Sequence, residues 1–163
     1  MIAIMNPKPT WREEYKRLYK EHITRKYPSF PPIEPKIPTD RTANGLTQLI
    51  IKFLAWKGHY ANRISTQGQA RADGGRIKWT TSHTKRGTPD ITAIISGRSV
   101  WIEVKVGKDH LSDAQVKQQS DIQEAGGIYY VARDMQSFYQ WYYWFIVTDK
   151  KLLDDPDLYT TLD

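Results

Sequence analysis

Two short runs constrain this chain more than any other part of it. Residues 91–96 and 99–106 are rich in Ile and Val, alternate with period two and meet at Gly97-Arg98. Runs of this kind read as strands, and a two-residue connection between them makes a β-hairpin. With Ser96 opposite Ser99, Asp90 falls opposite Lys105 and Thr92 opposite Glu103. Opposed residues of an antiparallel pair share a face, as do residues two apart along one strand. One face therefore carries Ile91, Ala93, Ile95, Val100, Ile102, Val104 and Val106, without a polar side chain, and needs a core to cover it. The other carries Asp90, Thr92, Ile94, Trp101, Glu103 and Lys105. Any turn of even length preserves this division, whereas an odd loop or a bulge would break it.

Two carboxylates and an amine on one strand face read either as a solvated surface with a weak Lys–Glu pair or as a site. Pro89, just before Asp90, fits the first residue of a strand, where no ladder donor is needed. Opposed or diagonal carboxylates lie about 5–8 Å apart at Cβ, close enough to share one divalent cation. Oxygen ligands of this kind suit Mg²⁺, which keeps several waters and is completed by substrate phosphate.

The run Gly87-Thr88-Pro89-Asp90, followed by Trp101-Ile102-Glu103-Val104-Lys105, resembles the active-site signature of the PD-(D/E)XK nuclease superfamily. The stretch 44–139, with Leu111-Ser112-Asp113-Ala114-Gln115 and Gly126-Gly127, resembles its virus-type replication-repair branch, the VRR-NUC family. The resemblance implies a restriction-endonuclease-like α/β core, a central mixed β-sheet flanked by helices. It also implies hydrolysis of DNA phosphodiester bonds with Mg²⁺ or Mn²⁺ held by Asp90, Glu103 and the Val104 carbonyl. Lys105 would then stabilise charge gathering on phosphorus; it is not assigned as the base. Gln115 matches a Gln that related nucleases carry on the helix after this strand, with Gln118 a weaker candidate. Ser112-x-x-Gln115 is equally a capping box that closes a helix end, and both readings stand. The family's first core helix usually offers a Glu where this chain has Asn44, which favours a one-metal mechanism. Asp40 and Glu34 lie upstream of that helix.

The remaining sequence supplies the frame. The chain has 163 residues, one domain's worth, and no cysteine, which excludes disulfides and thiolate zinc sites. Its net charge of +6 favours polyanionic partners. No apolar run is long enough to span a bilayer, and the opening Met1-Ile2-Ala3-Ile4-Met5 is too short for a signal-peptide core. A cytoplasmic, non-membrane protein is the expectation. Thr10-Trp11-Arg12-Glu13 is a capping box for a helix to about Tyr27, with a stripe of Trp11, Tyr15, Leu18, Tyr19 and His22. Five prolines between positions 28 and 38 then suggest a stiff linker. Residues 1–40 thus read as an N-terminal helical and Pro-rich arm, 41–148 as the nuclease domain and 149–163 as an acidic tail.

Within the domain, a core helix is expected from Ala43 to Lys57, strands over 59–66 and 76–82 with a loop between, and a helix over 111–125. A buried strand over 128–132 and a last helix through about Trp144 complete it. Lys57, Arg63, Arg71, Arg76, Lys78, Lys85 and Arg86 face a lone acid, Asp73, just ahead of Asp90. Arg63, Lys78, Lys85 and Arg86 lead the candidates for DNA contact, since phosphate contacts supply most non-specific affinity. His83 is left out of the site. The aromatic run from Phe138 to Phe145 fits burial or a subunit interface better than base stacking. Three functions follow: an endonuclease on duplex DNA, a junction resolvase acting on branched DNA as a homodimer, and a nuclease fold that binds DNA without cutting. By resemblance, phage or mobile-element replication and recombination is the setting.

Overall fold

The computed structural model describes residues 9–31, 33–64, 69–73, 75–80 and 85–154. In chain order the elements are α1 (Trp11–Lys26), α2 (Ala43–Trp56), β1 (Tyr60–Arg63), β2 (Gln69–Asp73), β3 (Arg76–Thr80), β4 (Ile91–Ile95), β5 (Arg98–Val104), α3 (Asp113–Glu124), β6 (Ile128–Ala132) and α4 (Met135–Asp154). The fold is a mixed α/β arrangement around a four-stranded sheet in the order β1-β4-β5-β6, parallel only between β5 and β6.

The hairpin forms with the two faces expected. Ile91, Ala93, Ile95, Val100, Ile102 and Val104 are all buried in one core with Leu46, Leu49, Ile50, Phe53 and Leu54 of α2 and Phe138 and Tyr142 of α4. Its turn sits one residue earlier than the sequence suggested. Ile95 pairs with Arg98, leaving Ser96-Gly97 as the connection, with φ of 50° and 81°. Two successive positive φ values are the I′ geometry that matches strand twist. A turn at Gly97-Arg98 would have placed a bulky Arg there instead of the Ser-Gly pair. The register therefore moves by two: Thr92 opposes Trp101, and the same register continued brings Asp90 opposite Glu103, not Lys105. Parity is unchanged, so the polar face keeps its membership.

Three further expectations are corrected. Helix α1 begins with the capping box of Thr10 and Glu13, but it does not stand off as an arm: Trp11, Tyr15 and Leu18 are buried in the common core. Trp56 at the end of α2 receives Tyr15, Tyr19 and His22 at ring distances of 4.8, 5.9 and 5.9 Å. The stretch read as a loop after position 66 contains β2, which pairs with β3 in a separate two-stranded sheet. Helix α4 starts where Asp134 accepts from the Ser137 amide at 2.7 Å, and it runs to Asp154, ten residues past the expected end and into the segment read as a tail. The aromatic run is mostly core, with Phe138, Tyr139, Tyr142 and Phe145 buried. Among the described residues no helix is long and apolar enough to cross a membrane. His83, Gly74, the opening five residues and the end of the acidic segment lie outside the described residues.

Candidate active site

The helices divide between the two faces of the sheet. α2 and α4 cover the apolar face, while α3 lies on the face that carries Asp90, Trp101 and Glu103. Parallel pairing of β5 with β6 sets Trp101 beside Tyr129 and Glu103 beside Val131, so Tyr129 joins the same face.

Glu103 is 2% exposed and Lys105 8%. Burial, reinforced by the charge of Asp90, pushes the Glu103 carboxyl up to about 7, against the pull of Lys105. Its two oxygens have different surroundings. Oε1 accepts from Gln115 Nε2 and lies 3.3 Å from Lys105 Nζ. Oε2 is buried with no hydrogen-bond partner. An acid left in this condition costs stability unless something is meant to meet it. Asp90, half-buried just before β4, accepts from the Val104 amide at 2.9 Å through Oδ2, and its own carbonyl accepts from Ile64 N at 2.8 Å. Lys105 also reaches Asp109 Oδ2 at 3.4 Å.

Gln115 forms the capping box and also contacts Glu103. Its Oε1 accepts from the Ser112 amide at 2.9 Å, completing a capping box, while its Nε2 donates to Glu103. Gln118, one turn later, makes no contact with the carboxylates. The loop entering Asp90 is fixed against α3 by Gly87, at φ 84°, where a Cβ would stand 2.3 Å from the Ala114 carbonyl oxygen. Gly87→Ala is therefore expected to cost more than about 2 kcal/mol in a urea or thermal melt, combining backbone strain with a backbone clash. A substitution that leaves the melt unchanged would show that loop and helix are not in register as described.

Asn44 is engaged elsewhere. Its Oδ1 accepts from Arg63 Nη1 at 2.8 Å. Arg63 pairs with Ile91, whose side chain faces the core, so this pair sits on the α2 side of the sheet, the face opposite to that of Glu103. Asp40 accepts from the Met135 amide at 3.3 Å, and Glu34 pairs with Lys16 and Lys20; neither takes the place of the missing Glu. Lys85 and Arg86 are exposed on the loop before Gly87, and among the described residues neither forms an ion pair. Lys78 is on β3 opposite Arg71, where only the backbone is described. The site gathers Asp90, Glu103, Lys105 and Gln115, with Lys85 and Arg86 exposed on the loop that leads into Asp90.

Sequence reasoning missed Tyr129 and Asp109. Tyr129 is 8% exposed, and its hydroxyl has no partner. Burial, then the charges of Glu103 and Asp90, holds the phenol above its ordinary value. Tyr129→Phe deletes an unsatisfied buried polar atom, and stability without metal is expected to hold or rise by about 1 kcal/mol; a clear drop in Tm would mean that the hydroxyl is bonded.

A divalent cation fits the donor set. Asp90 is near enough for its charge to raise the Glu103 carboxyl, Glu103 has a buried oxygen lacking a partner, and the rest of a Mg²⁺ shell would come from water and phosphate. No protein-family model, no curated protein and no solved structure matches the chain.

Proposed function

We propose that the chain is a metal-dependent phosphodiesterase of the PD-(D/E)XK class. More narrowly, it is proposed as a VRR-NUC-like DNA endonuclease using Mg²⁺ or Mn²⁺ on duplex or branched DNA. The observation that carries this reading is the buried Glu103 with its unpartnered Oε2, placed across the hairpin from Asp90 and beside Lys105.

Asp90 and Glu103 would hold the cation, with the Val104 carbonyl as the ligand implied by resemblance. The cation supplies Lewis acidity and lowers the pKa of bound water. Gln115 holds the Glu103 carboxylate by one oxygen and leaves the other directed into the site. Lys105, steadied by Glu103 and Asp109, presents positive charge where the scissile phosphate gathers negative charge, a stabilisation of the oxyanion-hole type. Lys85 and Arg86, exposed on the loop that leads into Asp90, suit the sequence-independent phosphate contacts that fix register. The homodimer expected of a resolvase belongs to this proposal. Trp144 and Val147 on the outer side of α4 are 63% and 52% exposed.

The test is cleavage of a labelled plasmid and a synthetic four-way junction with Mg²⁺, Mn²⁺ or chelator. Metal-dependent cutting that disappears in Asp90→Ala is expected. Equal rates on junction and linear duplex would exclude the resolvase form. Binding without cutting under every metal would leave the binding-module reading, which the chargeless Asn44, already committed to Arg63, favours.

A further inference from the structure

The face that carries the carboxylates continues past them into a cavity of about 350 Å³, lined by Lys85, Ser99, Trp101, Gln118, Asp121 and Gly127. Its position is set by the two elements that build the site. Trp101 lies two residues before Glu103 on β5, about 7 Å along the strand, and Gln118 lies one turn after Gln115 on α3. The cavity is thus within reach of the nucleotide next to a phosphate held at Glu103.

Its walls are chemically uncommitted. Trp101 is half-buried, yet among the described residues its indole pairs with no other ring, the Gln118 amide has no hydrogen bond and Lys85 has no ion pair. Asp121 is already neutralised by Lys117 at 2.9 Å. Gly127 lets this wall pack closely, since a Cβ there would stand 2.8 Å from Ile122 Cγ2 and 3.6 Å from Trp101 Cδ1.

We propose that this cavity binds one unpaired nucleotide of the DNA strand passing through the site, its base stacked on Trp101, its edge met by the Gln118 amide and its phosphate by Lys85. This deepens the nuclease reading and rests on it for the path of the strand. An aromatic face is the sequence-tolerant platform for an unpaired base, an amide offers both donor and acceptor to its edge, and an ammonium meets the backbone charge. A base inside a continuous duplex has its faces covered by its neighbours and must leave the stack to be held this way. The cavity therefore selects arms, gaps and branch points over uninterrupted duplex.

The experiment uses the full chain in chelator, where nothing is cut, and a duplex bearing a single-stranded arm with 2-aminopurine beside the branch point. Quenching of the probe is expected, with binding about 10-fold tighter than to a fully paired duplex of equal length. Trp101→Leu is expected to abolish the quench and reduce arm affinity by about 5- to 100-fold; Gln118→Ala reduces the preference by a smaller factor. Equal affinity of the wild-type chain for armed and paired DNA overturns the proposal, as does a quench that survives in folded Trp101→Leu. If Trp101→Leu does not fold, Gln118→Ala and Lys85→Ala decide, and an unchanged arm preference in both overturns it. A chain that selects arms but cuts nothing with Mg²⁺ or Mn²⁺ removes the nuclease reading and keeps this one; a chain that cuts but binds both DNAs equally does the reverse.

Discussion

Glu103→Gln is expected to leave a folded protein that no longer cuts DNA. The substitution keeps the shape of the side chain and removes a charge that is 2% exposed and lacks a partner on Oε2. Neutralising such a group relieves a desolvation cost, so Tm should hold or rise. Cleavage with Mg²⁺ or Mn²⁺ should fall by at least about 10²- to 10³-fold, the scale of losing one preorganised electrostatic group at a reacting centre. If Glu103 served only to pair with Lys105, the same change would lower Tm and leave the dependence on metal untouched. Cleavage within a few-fold of wild type would remove Glu103 from the chemistry, and the nuclease proposal with it.

A second large effect is expected far from that face, at Glu14. This residue of α1 is 4% exposed, yet it binds Arg17 through both oxygens at 2.8 and 3.0 Å. Oε1 also accepts from Lys57 Nζ at 2.8 Å, at the end of α2, and from the Tyr143 hydroxyl at 3.1 Å, on α4. The Arg17 hydrogen bonds, then Lys57, outweigh burial and bring its carboxyl from 4.5 down to about 2. The depressed value makes this a stabilising acid above about pH 4.5, with the contribution lost as pH falls towards 2. A shift of that size corresponds to about 3 kcal/mol. Glu14→Ala, which strands Lys57, is expected to cost about 3–5 kcal/mol and to lower Tm by on the order of 10 °C. Wild type should also lose more stability than Glu14→Gln between pH 5 and pH 3. Parallel acid melts of the two proteins would refute the assignment.

The sequence made local features readable where a short-range rule decides them. Thr10 and Ser112 begin helices because each is followed three residues later by a residue that returns the hydrogen bond. The hairpin faces follow from alternation alone. Its register does not, because Ser96-Gly97 and Gly97-Arg98 are both two-residue turns, and only the first keeps Arg98 out of positive φ. The misplacement kept every side chain on its face but changed partners, and the outcome sets the two acids more directly across from each other. The glycines around this stretch read as a loop, and the weakly β-forming Gln69-Ala70-Arg71-Ala72-Asp73 hid β2. The placement of α1 in the core depended on Trp56, some forty residues away, and no local pattern announces such a contact. Tyr129 was invisible for a similar reason. Its face is set by parallel pairing of β6 with β5 across an intervening helix, and adjacent Tyr129 and Tyr130 look alike until that register is known.

The double use of Gln115 narrows what this position tolerates. A capping box accepts Glu as readily as Gln, so the start of α3 alone leaves two choices open. Only Gln also brings an N–H to Glu103. Glu in its place would keep the helix intact while setting a negative group against another in a water-poor setting, and Ala would loosen both together. Helix initiation and the aim of the buried acid are therefore mechanically linked at one amide, and neither can be tuned by substitution there without disturbing the other.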